Sequence, residues 1–193
     1  MNPVTHLLAS WTIADLSGLS DRDRKIVTWS GVVPDADGLT LLPDLFNRLL
    51  FNKPTEFYQQ YHRLLTHGLP AALVVFVVAL LTGQNRLKVA FLAFVSFHFH
   101  LFCDLIGSRG PDPSDIWPIY YFAPLSDHPV FYWTGQWPIN AWQNIVFTIA
   151  LMTVIFVRAY YCGYSVVGLF SQKTDEAFVS ALRVRFGANS TSR

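Results

Sequence analysis

The unusual polar stock of this chain is histidine: it has six, and five of them fall in the first hundred residues. His100 and Asp104 are four residues apart, which on a helix leaves them about 40° apart on one face, where an imidazole and a carboxylate can grip one cation. His98 is two residues from His100, about 200° around the same helix, so it points elsewhere and is expected to bond a neighbouring helix. Upstream, Pro34-Asp35-Ala36-Asp37-Gly38 places two carboxylates where an apolar segment ends. A short Asp-x-Asp pair can bind a cation with one set of oxygens while the other carboxylate orients or deprotonates water. His62-Arg63-Leu64-Leu65-Thr66-His67 adds two imidazoles and a guanidinium. An unbroken helix would hold those two histidines about 140° apart, so a shared site requires a bend near Gly68 or two different metals. On that helix Arg63 shares a face with His67 and suits an anionic group such as a phosphate.

Each of these residues has an ordinary structural use. Asp-x-Asp-Gly after a proline commonly makes a turn, His6 suits a hydrogen-bonded position on its helix, and Asp104 can cap the turn that follows at Gly107. The conjunction argues otherwise. Two His/Asp sets end up near the ends of apolar helices, where unpaired charge is expensive.

The elements that must position these groups follow from apolar patterning. Pro3 and Thr5 suit the start of a first helix whose Leu7, Leu8, Trp11 and Ala14 can share a face, and Gly18 suits its end. A polar burst, Asp21 to Lys25, leads into an apolar segment expected to stop at Pro34. Residues 55–67 are expected to be helical and polar on one side. Leu64 to Asn85 contains no Asp, Glu, Lys or Arg, and 22 residues of helix reach about 33 Å against a hydrocarbon core of about 30 Å. After a turn at Gly83-Gln84-Asn85-Arg86, a second apolar helix carries His98, His100 and Asp104. Gly107 to Pro138 is broken by proline and glycine and rich in Trp and Tyr, as suits an irregular loop at a membrane interface. A third apolar helix is expected from about Trp142 to Cys162, and a frayed tail from about Gly187 to Arg193.

Composition agrees. Of 193 residues, 52% are hydrophobic and only 14% charged, against about 25% charged in average soluble domains. A net charge of +1 gives no reason to expect nucleic acid. Cys103 and Cys162 form no CxxC, so neither a disulfide scaffold nor a zinc ribbon is expected. Basic residues near both ends of the chain do not choose an orientation in the membrane.

Taken in order, Thr5-His6, Pro34-Asp35-x-Asp37, His62-Arg63-x-x-Thr66-His67, His100-x-x-x-Asp104 and Trp117-Pro118 resemble the motifs of the bacterial membrane-bound metal-dependent hydrolases, the family founded on a LexA-regulated inner-membrane protein. The resemblance covers roughly residues 5 to 118, and the His-Arg-x-x-Thr-His hexad is its most specific piece. Leu64 stands where that family usually has glycine, and Gly68 where it usually has serine. A more distant similarity, to all-helical zinc-dependent phospholipases C and related nucleases, implies His6, Asp35 or Asp37, His62 or His67, His100 and Asp104 as ligands.

The expectation is therefore one all-α domain over residues 1–193, multi-pass in the bacterial inner membrane, with about three transmembrane helices and an amphipathic N-terminal helical region. It would hold one or two divalent ions, zinc or manganese, on His6, Asp35, His62, His67, His100 and Asp104, since mixed nitrogen and oxygen ligands suit those metals. Asp37 would serve as base and Arg63 as anion holder in hydrolysis of an ester or phosphoester of a lipid or lipid-linked substrate. Asp35 and Asp37 are interchangeable at this level. The rival is a non-catalytic membrane protein with a structural or transport-related metal site.

Overall fold

The structure is a computed structural model that describes residues 1–187; positions 188–193, most of the tail expected to fray, lie outside the described residues. Helix α1 (Pro3–Leu16) starts where Asn2 accepts hydrogen bonds from Thr5 N and Thr5 Oγ1, with Pro3 in the first turn, where its missing N–H costs nothing. It is not the one-sided amphipathic helix expected. Eight of its fourteen residues are buried, His6 and Asp15 among them, because other helices press on several of its faces. Helix α2 (Asp21–Ser30) is capped by Ser20 and ends before Pro34. A 3₁₀ segment, Val33–Thr40, then carries Asp35 and Asp37, followed by α3 (Leu41–Phe51) and the short α4 (Phe57–Tyr61). The helix expected over residues 55–67 is thus only five residues long, and its remainder, 62–68, is an irregular strap.

Helices α5 (Leu69–Thr82) and α6 (Arg86–Gly107) form an antiparallel hairpin. Asp23 at the start of α2 closes its turn by accepting from Gln84 N at 2.8 Å and Asn85 N at 3.2 Å. Residues 108–141 fold over the other end of α6. They form a loop holding the two-residue antiparallel strands β1 (Ile119–Tyr120) and β2 (Val130–Phe131). Helix α7 (Trp142–Cys162) runs back beside α1, and α8 (Gln172–Arg185) packs Val179 and Leu182 against Ala159 of α7.

Among the described residues two helices, α6 and α7, are long and apolar enough to cross a bilayer. The 22-residue uncharged run expected to supply a third span yields only the 14 residues of α5, or about 21 Å of helix. Its first residues are spent on the strap, and Gly83 ends it at the hairpin turn. Helix α6 is the central element, touching α1, α2 and α5. By contrast α7 fully buries only Asn144, Leu151, Ile155 and Ala159 and turns much of its apolar surface outward.

The helix directions gather one set of termini at one end of the bundle. Thr5 and Thr148 bond at 2.7 Å near the starts of α1 and α7, where the end of α6 and the start of α5 also lie. At the opposite end Asp15 meets Arg24 and Arg158.

Candidate metal centre

Four elements bring the predicted residues together: His6 from the first turn of α1, Asp35 and Asp37 from the 3₁₀ segment, His67 from the strap before α5, and His100 with Asp104 from α6. His6, His67, His100, Asp104 and Asp37 are each 1–2% exposed. Ligand-capable atoms of His6, His100 and Asp104 lie within 4.8 Å of one another, and so do those of Asp35, His67 and His100. Asp104 sits in the middle. Its Oδ1 is 3.0 Å from His6 Nε2 and its Oδ2 is 3.1 Å from His100 Nε2 and 3.6 Å from His67 Nε2. The rings of His6 and His100 stack with centroids 3.6 Å apart.

Hydrogen bonds around the cluster set the tautomers. His100 Nδ1 donates to the Gly31 carbonyl at 2.8 Å, and His67 Nδ1 donates to Asp37 Oδ2 at 2.8 Å. Each ring therefore turns Nε2 inward, the arrangement usual for metal-bound histidines. Gly31 makes this contact possible, since a Cβ there would collide with Ser10 Oγ and Ser96 Oγ. His67 Nε2, His100 Nε2 and Asp35 Oδ2 are all buried without a hydrogen-bond partner. Buried polar atoms seldom lack partners, and two unpartnered imidazole nitrogens beside the Asp35 carboxylate, whose Oδ1 lies 3.7 Å from His100 Nε2, fit a cation. Two carboxylates, Asp35 and Asp104, would balance a divalent charge. Because His100 offers only Nε2, it can serve one ion; a second would depend on Asp104 bridging with its two oxygens.

Asp37 and His62 are placed differently from the other candidates. Asp37 Oδ1 accepts from His62 Nδ1 at 2.7 Å, and Oδ2 accepts from His67 Nδ1 and from Arg63 N at 2.9 Å. Both oxygens face the strap. Burial pushes Asp37 up, but the hydrogen bonds and charges of the two imidazoles outweigh it and hold the carboxyl well below the usual range. Burial likewise lowers His67, yet the nearby carboxylates of Asp104 and Asp37 raise it to about 9. Burial lowers His6 despite Asp104, and raises Asp35 despite the neighbouring imidazoles.

The helix ends at Tyr61, so the 140° problem does not arise: His62 and His67 approach Asp37 from two points of the strap. Arg63 consequently does not share a helical face with His67. It adopts a left-handed backbone, φ 83°, and lays its guanidinium 3.6 Å from the centre of a Trp117 ring. There it lines a cleft of about 620 Å³ with Tyr58, His62, Asp115, Pro118 and Tyr120. His98 donates from Nδ1 to Phe94 O of its own helix and accepts at Nε2 from the Tyr121 hydroxyl in the loop; it takes no part in the cluster.

Several residues that the sequence marks at most as part of a motif support the cluster. Thr66 donates to Pro34 O at 2.7 Å and accepts from Asp37 N at 3.1 Å, tying strap to 3₁₀ segment. Ser108 donates to Asp104 Oδ1, and the Met1 amine contacts both residues. Gln136, 1% exposed, accepts from Trp117 N and donates to Trp117 O, both at 2.8 Å. Thr66 belongs to the His-Arg-x-x-Thr-His hexad and Ser108 lies one helical turn beyond Asp104; Met1 and Gln136 carry no spacing signal.

The fold and cluster define a helical membrane protein with a buried His/carboxylate centre at one end of its bundle. A family model described as YdjM inner membrane protein matches residues 1–181, and the chain belongs to that family. It is an inner-membrane protein. No curated protein matches it, and no solved structure does; the comparisons identify a membrane family and not a reaction.

Proposed function

We propose that the chain is a membrane-embedded metal-dependent hydrolase that cleaves an ester or phosphoester of a lipid or lipid-linked substrate with water. The observation that carries this reading is the convergence of unpartnered His67 Nε2 and His100 Nε2 on Asp104, with the Asp35 carboxylate beside His100. His67, His100, Asp104 and one oxygen of Asp35, with His6 alongside, would hold zinc or manganese. Such an ion lowers the pKa of a bound water and polarises the scissile group.

The protein groups divide the remaining work. Asp35 keeps an oxygen free of hydrogen bonds, which suits it to take the proton of the attacking water. Asp37 has no free oxygen, so its role is to orient His67 and His62; this reverses the assignment first expected for the two aspartates. Arg63, in the cleft that His62 also lines, would receive the anionic group.

Near-complete enclosure of four of the donors favours a second reading, a closed structural or transport-related metal site. Metal analysis of detergent-purified wild type beside His100→Ala separates the possibilities when joined to turnover on a panel of phosphoesters and carboxylesters. The hydrolase reading expects stoichiometric transition metal in wild type, none in His100→Ala, and turnover lost in Asp35→Asn with metal retained. Wild type without stoichiometric metal would remove both readings. Full occupancy with no turnover across the panel would favour the closed site.

A further inference from the structure

Helix α3 reverses the usual arrangement of an amphipathic helix. Leu41, Leu42, Leu45, Phe46, Leu49 and Leu50 form a stripe at helical spacing, yet no residue of α3 is buried, and Leu49 and Leu50 are 77% and 64% exposed. The polar side faces the protein instead. Asp44 accepts from Phe57 N at 2.9 Å, Tyr58 N at 2.8 Å and Thr55 Oγ1 at 2.6 Å, and Asn47 donates to Thr55 Oγ1. The helix is therefore fixed to α4 by its polar face, while among the described residues its apolar face stays largely exposed, with Leu41 and Leu45 bordering a shallow groove beside Pro54 and Tyr58.

We propose that α3 lies in the bilayer interface with this stripe among the lipid acyl chains. Three observations select lipid as its partner. The chain is an inner-membrane protein with two helices long enough to span, so lipid surrounds it. Helix α3 leaves directly from the 3₁₀ segment that places Asp35 and Asp37 at one end of the bundle, the level at which a bilayer meets water. The loop at that same end exposes Phe122, Tyr132 and Trp133, aromatic residues of the kind that gather at membrane interfaces. Eleven residues make about 16 Å of helix, too short to cross and suited to lying along the surface. Tyr58 lines both the shallow groove against α3 and the Arg63 cleft, so lipid beside α3 borders the cleft. None of this depends on the chain being a hydrolase.

The test is spin-label accessibility in lipid nanodiscs, using the full chain with exposed Cys162 changed to serine and buried Cys103 kept. Labels at Leu49→Cys and, independently, Leu50→Cys should collide several-fold more with oxygen, which concentrates in lipid, than with a water-soluble nickel chelate. A label at exposed Gln60→Cys should show the opposite preference. Labels at 49 and 50 that favour the chelate as strongly as that at 60 would overturn the proposal. So would labels shielded from both reagents whose spins broaden one another and recover on dilution with unlabelled protein, because the stripe would then be covered by a second copy.

Discussion

Two of the buried carboxylates sit at opposite ends of the same bundle, Asp104 among histidines and Asp15 among arginines. Asp15 accepts from Arg158 Nε at 2.6 Å and lies 3.7 Å from Arg24 Nη1, while the Arg24 guanidinium rests 4.0 Å from the Tyr164 ring centre. Guanidinium stays protonated and has no lone pair to offer, so the charge at that end is balanced by protein groups even though Asp15 Oδ1 accepts no hydrogen bond. Imidazole can give up its proton and become a ligand. Asp104 is therefore surrounded by groups whose charge can be exchanged for that of a metal, and Asp15 by groups whose charge is permanent. The same cost of burying a carboxylate is met at one end by a staple joining α1, α2 and α7, and at the other by a candidate centre.

The sharpest way to break this contrast is to remove each carboxylate in turn. Asp104→Ala is expected to abolish metal retention altogether, since Asp104 touches every imidazole of the cluster. Asp15→Ala is expected to leave metal stoichiometry unchanged and to lower thermal stability, because Arg158 loses its hydrogen bond and Arg24 keeps only the exposed Asp21, a loss below the about 3–5 kcal/mol of a fully buried pair. Elemental analysis and thermal denaturation in detergent read the two outcomes. If Asp15→Ala lost metal as completely as Asp104→Ala, the two ends would not be separate devices.

A smaller effect separates groups inside the candidate centre. Asp37→Asn keeps the shape of the side chain but removes the charge that holds His67 and His62. Losing a hydrogen-bond partner behind a metal ligand usually weakens affinity about 10- to 100-fold. Competition with a chelator should show a drop of that size, between the full loss in Asp104→Ala and the unchanged affinity in Asp15→Ala. Unaltered affinity would mean that Asp37 does not orient His67 for a metal.

The difference between the two ends also explains how much was legible in the sequence. Helical spacing was enough to pair His100 with Asp104, because both sit on one continuous helix and the backbone alone sets their relation. It was misleading for His62, Arg63 and His67. Those residues lie on a strap where the helix stops at Tyr61, and close approach of the loop decides the path: a Cβ at Gly68 would press on the carbonyls of Tyr121 and Ala123. Contacts of that kind join residues more than fifty positions apart and leave no local periodicity. The staple at the other end was equally hidden, since Asp15 and Arg158 are 143 residues apart. Helix α3 was missed for another reason. Pro43 and the polar Asp44, Asn47 and Arg48 interrupt a run that is apolar on one face only, and its apolar face does not point inward.

The smallest expected effect is a pH dependence that only the histidine end can produce. In chelator-treated protein His67 has its pKa raised from 6.5 to about 9, so folding gains proton affinity at that ring. The stabilisation is complete below about pH 6.5 and is lost as pH rises through 9. Asp37 is shifted the other way: its contribution is present above the ordinary carboxylate value of 3.8 and is lost as pH falls below it. Metal-free stability should therefore decline from about pH 6.5 towards pH 9, while below about pH 6.5 buried His6, whose pKa is lowered, makes stability fall with falling pH. The arginine staple adds no slope there, because guanidinium does not titrate in that range. Melting temperatures of metal-free wild type and His67→Gln across pH 6 to 9.5 test this, with the alkaline decline expected in wild type and absent from the variant. A decline of equal size in both would place its source in a group other than His67, and His67 would then be no more responsive to protons than the arginines that hold Asp15.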